Sequence, residues 1–394
     1  MKGRNILIAS CVFPPEPVVS ATISFDLANS LVKNNQVTVI SPRPTRPFGY
    51  NFETVLTDKN RAFNHVVVNS YTNPKSKVLL RFYESYSLGK HIVRYIKENK
   101  HKIDIVYINS WPLASQYLIV KACKKLNIET VIHIQDIYPE TLINKLPVLK
   151  SFFHSLLLPI DKYILKNASR IVTISSGMKN YLLRTRNLEE KRVKVVYNWQ
   201  NIKQSSSISQ ENELFTFVYL GSLSPSAQIE SIIEAFGELK SKKAKLIIAG
   251  SGSDEEKLKA ISSNYLETKI EFIPAPSDQV VNIQSKANVL VLSLRDGVGK
   301  IALPSKLVSY MFSKKPILSI VEKDCDIEKI IIEADCGWVV RKNAKEDIKS
   351  TMLELIDINS NILIKKGEKA ETFATNNLSR EVNLEKLSKI FNEY

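Results

Sequence analysis

At 394 residues the chain is long for one hydrophobic core and comfortable for two domains of roughly 150–200 residues. Its composition, 44% hydrophobic and 24% charged, is that of a globular protein, and no stretch approaches the ~18 uninterrupted apolar residues of a spanning helix, which excludes a membrane bundle. Of the net charge of +15, all the excess lies early: residues 1–200 carry 29 Lys and Arg against 13 Asp and Glu, a balance of +16, whereas residues 201–394 carry 26 against 27. That asymmetry points to an anionic partner of the first half, a membrane surface or lipid diphosphate ahead of nucleic acid, for which no reader motif is present.

In chain order, Met1-Lys-Gly-Arg-Asn5 and the apolar run to Phe13 mimic a signal peptide, but Pro14-Pro-Glu-Pro17 follows and no small-residue cleavage site appears. The segment reads as the first buried strand of a cytoplasmic protein. Apolar runs then alternate with helical patterns: Asn5–Ala9, Gln36–Ser41, Ile103–Ile108, Thr130–Ile134 and Arg170–Ser175. Near-continuous Val/Ile/Leu runs are what parallel strands, covered on both faces, require. The fold class is therefore α/β with parallel sheets.

Ligands of such sheets bind beyond the carboxyl ends of the strands. The loop Pro14–Ala21 after the first strand is stiffened by prolines; Glu16 in it is either an acceptor contact or, slightly preferred, a plain loop charge. Trp111 follows another strand and reads as core ahead of a sugar-stacking ring. His133 closes the run Thr130–Ile134 with Asp136 three residues on; a lone His is more often structural, so the residues alone leave its role open. Residues 141–166 carry leucines and phenylalanines with lysines interspersed and broken by Pro147 and Pro159, a pattern shared by a membrane-interface segment and a core-facing helix pair. Ser175 and Ser176 read as a helix cap, and Asn198-Trp199 as a hinge.

After a polar stretch, residues 201–213, read as a linker, the alternation resumes: Phe215–Leu220, Ala244–Ala249, Lys269–Ile273, Val289–Leu294 and Pro316–Val321. Gly221 lets the backbone approach a ligand, and the Ser/Pro residues after it read as the cap of a helix from about Ala227. Gly250-Ser-Gly252 ends a strand but lacks the dinucleotide fingerprint. The most informative stretch is Arg295-Asp-Gly-Val-Gly-Lys300, leading through Pro304 and Ser305 into an amphipathic helix. Free N–H groups of its first turn, with Arg295, Lys300 and Lys306, suit a phosphate. Asp324-Cys-Asp326 reads as capping the helix Ile327–Ala334 rather than as a metal motif. The four cysteines are scattered and suggest neither disulfides nor zinc.

Residues 304–318, "PSKLVSYMFSKKPIL", with Glu333–Val340, Phe13–Ala21 and His133–Glu140, resemble family 4 glycosyltransferases, especially those building bacterial surface polysaccharides. The resemblance spans nearly the whole chain. It implies the GT-B arrangement of two doubly wound Rossmann-like domains facing a central cleft: an acceptor-binding domain over 1–200, a nucleotide-sugar-binding domain over 214–378, and a helix over 379–394 packing back on the first. It implies a retaining transfer from a nucleotide-sugar donor, UDP ahead of GDP, to a lipid-linked (polyprenyl diphosphate) saccharide or polysaccharide acceptor at the inner leaflet of the cell membrane. It implies neither cofactor nor metal.

By the same resemblance, Gly221, Arg295, Lys300, Ser305 and Lys306 serve the donor phosphates, while Gly250, Ile273, Pro274 and Ser309 serve the nucleotide. Glu16, Val18, Val19 and Ser20 lie on the acceptor-side loop, and His133 and Asp136 near the reacting centre. The chain departs from the family where two glutamates spaced by seven residues are usual: Ile301 and Ser309 stand at those places. A GT-B sugar-nucleotide epimerase and a non-catalytic nucleotide-sugar-binding protein are the alternatives.

Overall fold

Each half of the chain builds its own parallel sheet. The computed structural model describes residues 3–46, 52, 61–73, 78–109, 113–143, 150–199, 213–276, 278–295, 297, 299, 303–341 and 345–392. The chain divides into one unit of residues 1–198 with 383–394 and a second of residues 199–382.

The first unit comprises β1 (Asn5–Ala9), α1 (Val19–Leu31), β2 (Gln36–Pro42), β3 (Asn64–Val68), α2 (Val78–Glu98), β4 (Ile105–Asn109), α3 (Leu113–Leu126), β5 (Glu129–Ile134), α4 (Glu140–Ile143), α5 (Lys150–Asn167), β6 (Arg170–Thr173), α6 (Ser176–Arg186) and β7 (Val193–Val195). Its strands are ordered β3-β2-β1-β4-β5-β6-β7, all parallel. The second unit comprises β8 (Phe215–Leu220), α7 (Glu230–Gly237), β9 (Ala244–Ala249), α8 (Glu255–Ser262), β10 (Lys269–Ile273), α9 (Val280–Ser285), β11 (Val289–Ser293), α10 (Ser305–Phe312), β12 (Ile317–Val321), α11 (Asp326–Glu333), β13 (Gly337–Arg341), α12 (Lys345–Ile356) and α13 (Ser360–Asn377). Its sheet, β10-β9-β8-β11-β12-β13, is parallel as well. Both are doubly wound sheets of the GT-B kind, with the strand order reversing between β1 and β4 and between β8 and β11.

The last helix, α14 (Arg380–Lys389), belongs from Asn383 onward to the first unit. There Asn383 Oδ1 accepts the backbone N–H of Tyr197 at 3.0 Å, Ser388 meets Ser30 at 2.9 Å, and the Phe391 ring lies 5.9 Å from that of Tyr107.

Central strands such as β4 and β11 are buried at every position, which is why they read as unbroken apolar runs. The strands without such a run, β3, β7 and β13, are each outermost in their sheet: β3 has no buried residue, β7 has three residues, and β13 begins on a glycine. An edge strand faces solvent on more sides and shows a weaker apolar pattern.

Several local expectations change. α1 begins at Val19, so Val19 and Ser20 already lie in its first turn and only Val18 precedes it. Pro159 does not break its segment: it sits inside the continuous 18-residue α5, and Pro147 lies outside the described residues. The serines after Gly221 cap nothing, since α7 starts at Glu230 behind Ile229. Pro304 precedes α10 rather than opening it. The N-cap of α11 is Cys325, which makes no side-chain cap bond; Asp326 is its first residue, where an acid faces the positive helix end. The Ser175 cap is present, its hydroxyl accepting the Met178 N–H at 3.1 Å.

Candidate active site

The second unit carries a cavity of about 390 Å³ at its strand-order switch, walled by Leu220, Gly221, Ser222, Ser224, Ser226, Ala227, Leu294, Ser305, Lys306 and Ser309. Gly221 is the first residue past β8, Leu294 the first past β11, and Ser305 opens α10. The topology thus brings two strand ends and one helix N-terminus around a single space.

Tyr310 sets the geometry. From one turn into α10 its hydroxyl accepts the Leu220 N–H at 2.8 Å and donates to the Leu220 carbonyl at 3.0 Å, bonding the helix to the end of β8.

Lys306 provides the charge. Its ammonium donates to the Tyr219 hydroxyl at 2.7 Å and lies 4.4 Å from that ring's centroid, and no carboxylate of the described residues pairs with it. Tyr219 in turn donates to the Ser222 carbonyl at 2.9 Å. Burial lowers the Lys306 pKa to about 8. A cation buried without a counter-ion costs stability, so this site is electrostatically prepared for an anion.

Gly221 is required beside it. Its φ is +149°, and a Cβ there would stand 2.9 Å from the Lys306 ammonium nitrogen. Ser309 accepts a hydrogen bond from Gln284 Nε2 at 2.8 Å, which leaves its own hydroxyl hydrogen to donate.

The structure gathers Gly221, Ser305, Lys306 and Ser309 on this cavity. Arg295 is exposed nearby, its backbone N–H held by the Ser226 carbonyl at 2.8 Å, and is not part of the wall. Lys300 and Ile301 lie outside the described residues, as does Trp111. Gly250, Ile273 and Pro274 do not line the cavity.

Gly250 acts on the backbone instead: at φ +144° it passes so close to the β8 loop that a Cβ would be 1.9 Å from the Gly221 carbonyl oxygen. Gly250→Ala is expected to cost at least about 2 kcal/mol and to weaken ligand binding by displacing Gly221, read as a lower urea midpoint and a lost nucleotide-induced shift.

In the first unit, Glu16 is not an exposed loop charge. Only 4% exposed, its carboxylate accepts the N–H groups of Thr45 at 2.9 Å, Arg46 at 3.0 Å and Phe13 at 3.3 Å, tying the β1 loop to the segment after β2. His133, one residue before the end of β5, is fully enclosed, with Nδ1 2.8 Å from the Tyr107 hydroxyl, and burial holds its pKa down to about 3. It is therefore neutral at pH 7. Asp136 is exposed beyond the strand.

The sequence reading missed a buried ion cluster below this loop. Arg186, 2% exposed, donates from Nε to Asp161 at 2.6 Å and from a terminal nitrogen to both Glu140 oxygens at 2.8 Å and the Tyr138 carbonyl at 2.9 Å. It locks α5, α6 and the segment following His133 into one piece. Among the described residues, no three His, Cys, Asp or Glu come together as a metal site.

Two parallel-sheet units, the second with an anion-ready cavity at its switch point, define the GT-B class of glycosyltransferase. Residues 20–204 match the model of Glycosyltransferase Family 4 and residues 200–380 that of Glycosyl transferases group 1. Between them these span nearly the whole chain, which belongs to the family 4 glycosyltransferases.

The uncharacterized glycosyltransferase MJ1069 of Methanocaldococcus jannaschii is 28% identical over 59% of this chain, a match spanning 60% of that relative's length. The probable glycosyltransferase WbjE of Pseudomonas aeruginosa is 24% identical over 67% of this chain and 68% of its own. The HepE protein of Anabaena, solved in complex with UDP, superposes with a TM-score of 0.72 over 99% of this chain and 100% of that one, at 15% identity.

Proposed function

We propose that the chain transfers a sugar, with retention of anomeric configuration, from a UDP-sugar to a lipid-linked or polysaccharide acceptor in the building of a bacterial surface polysaccharide. The observation that carries this reading is Lys306, a buried ammonium without a carboxylate, at the N-terminus of α10 on a serine-lined cavity. A nucleoside diphosphate supplies the missing negative charge. The UDP bound to HepE and the surface-polysaccharide type of the motif quoted above favour the donor and the pathway class.

In the reaction the bond from the anomeric carbon to the diphosphate oxygen breaks, and its electron pair stays on that oxygen. Lys306, the free N–H groups of α10 and the hydroxyls of Ser305 and Ser309 stabilise the charge as it develops, with Arg295 and Lys300 adding positive potential. The acceptor hydroxyl attacks from the face the diphosphate leaves and passes its proton to it. In this reading neutral His133 orients sugar hydroxyls and Asp136, exposed three residues further on, serves the acceptor.

Contact with an anionic membrane is part of the proposal. The exposed face of α2 runs through Phe82, Tyr83, Tyr86, Lys90, Arg94 and Lys97, and α5 exposes Phe152 and Leu156. Both helices pack on α3. Aromatic and basic side chains in one stripe suit a headgroup layer. No helix of the described residues is long and apolar enough to cross a membrane.

The test is incubation with UDP- and GDP-sugars and a lipid extract of bacterial membranes. Sugar incorporation into the lipid fraction is expected from one donor and lost in Lys306→Ala. An isomerised donor without incorporation would establish the epimerase reading instead, and nucleotide binding without turnover the non-catalytic one.

Because the Lys306 ammonium titrates near pH 8 in the free protein, UDP affinity should be level below that pH and fall above it, by up to about tenfold per pH unit. The sign follows from the ligand's charge: above pH 8 the lysine must take up a proton to meet the diphosphate. Calorimetric titrations between pH 7 and 9.5 read this directly, and in Lys306→Met the dependence should disappear.

A further inference from the structure

The amino edge of the first unit's sheet, the end away from the loops discussed so far, holds an open cavity of about 220 Å³. Its polarity follows from strand register. Asn5 pairs with Gln36, Leu7 with Thr38 and Ala9 with Ile40, and alternate residues of a strand share a face, so these six stand on one side of the sheet. Leu7, Ala9 and Ile40 are buried there, whereas Asn5, Gln36 and Thr38 make the same face polar towards its start. Tyr95 and Asn99, one turn apart at the end of α2, wall the cavity from the helix layer, and the 3-10 turn Lys100–Lys102 adds His101 and Lys102.

Most of these polar groups are left unused by the fold. The side chains of Gln36, Thr38, Tyr95, His101 and Lys102 make no hydrogen bond or ion pair with any described residue. No carboxylate lines the cavity, and the acid nearest in sequence, Asp104, is held by Asn5, whose backbone N–H and Nδ2 donate to its Oδ2 at 2.7 and 3.1 Å. The negative end of α2 is partly covered as well: the Tyr95 carbonyl accepts the Asn99 backbone N–H at 3.0 Å and its Nδ2 at 2.9 Å. Water satisfies such groups one at a time on a convex surface. Here two hydroxyls, an amide and two basic side chains line one concavity, and the only formal charge on its wall is positive.

We propose that this cavity binds a monosaccharide phosphate, its phosphoryl group on Lys102 and His101 and its hydroxyls on Thr38, Tyr95 and Gln36. Hydroxyl and amide groups both donate and accept, which matches the hydroxyls of a sugar, and a compact ammonium meets a phosphate as a point charge. At about 220 Å³ the space falls short of the ~300–1,000 Å³ usual for drug-sized ligands, which suits a monosaccharide and leaves no room for a nucleotide. The occupant is a separate ligand and not a reactant, because the five residues of β1 put roughly 17 Å between the cavity and the carboxyl edge of the sheet. The inference stands independently of the transferase reading.

The test is titration calorimetry of glucose 6-phosphate, ribose 5-phosphate, glucose and inorganic phosphate into the full chain, with and without excess UDP to fill the second unit's cavity. At least one sugar phosphate should bind in both conditions, about tenfold or more tighter than glucose or inorganic phosphate. In Lys102→Met that affinity should fall about tenfold, and in Thr38→Val and Tyr95→Phe about threefold, while UDP binding stays as in the parent protein. Lys102 is exposed, so its variant keeps the fold and decides the matter even where a strand or helix variant is less stable. No binding of either sugar phosphate, equal binding of inorganic phosphate, or undiminished binding in Lys102→Met overturns the site. Binding that UDP abolishes places the sugar phosphate in the second unit's cavity and overturns it as well. A parent protein that binds sugar phosphate but no UDP upholds this site and counts against the transferase reading alone.

Discussion

Lys306→Met should unfold at a higher temperature than the parent protein and no longer respond to UDP. In the free protein the ammonium is held near pKa 8 against 10.5 for an unburied lysine, so at pH 7 the fold carries the cost of keeping it charged. At about 1.4 kcal/mol per unit, removing the charge while keeping the aliphatic stem stabilises the second unit by up to about 3 kcal/mol. By linkage, the parent protein gains stability as pH rises from about 8 towards 10.5, and the variant does not. With a gain of a few degrees per kcal/mol for a unit of this size, the rise is measurable by calorimetry. A variant that melts lower would show that the lysine contributes to the fold rather than opposing it.

Arg186→Ala should have the opposite and larger effect on the first unit. It leaves Asp161 and Glu140 without their shared cation in a nearly closed site, and breaking one member out of a buried ion cluster costs about 3–5 kcal/mol. Chemical denaturation should show the loss, whereas the UDP-induced shift of the second unit should survive. Because Arg186 also holds the Tyr138 carbonyl, transfer should fall further than stability alone explains, through loosening of the segment after His133. Arg186→Met, which keeps the packing of the stem, should lose less than the alanine variant.

These two positions mark how far the sequence could be read. The meeting of Gly221, Ser305 and Lys306 at one cavity was legible because the chemistry is local: a glycine past a strand and a lysine in the first turn of a helix need only the α/β alternation to be placed, whereas Ser309 entered only through the family resemblance. Gly250 was legible as important but its reason was not, since the close approach to the Gly221 carbonyl exists only once two loops cross. Tyr219 and Tyr310 were invisible because a tyrosine in an apolar strand or helix reads as core, and nothing in the sequence shows where its hydroxyl ends. Gln284 bonds Ser309 from another helix, and Glu16 and Arg186 look like ordinary loop and helix charges until their distant partners fold onto them. Ten strands followed from apolar runs, nine of them inner and one, β10, outermost; β3, β7 and β13, also outermost, did not, because β3 buries no residue, β7 has only three and β13 begins on a glycine.

The central claim is that the cavity between the ends of β8 and β11 and the start of α10 holds a nucleoside diphosphate. Titration calorimetry of UDP, GDP and ADP into the purified full chain, with EDTA present, tests it most directly. Saturable binding of UDP that is at least a hundredfold weaker in Lys306→Ala is the predicted result; no heat from any of the three nucleotides, or equal binding by the variant, would contradict it.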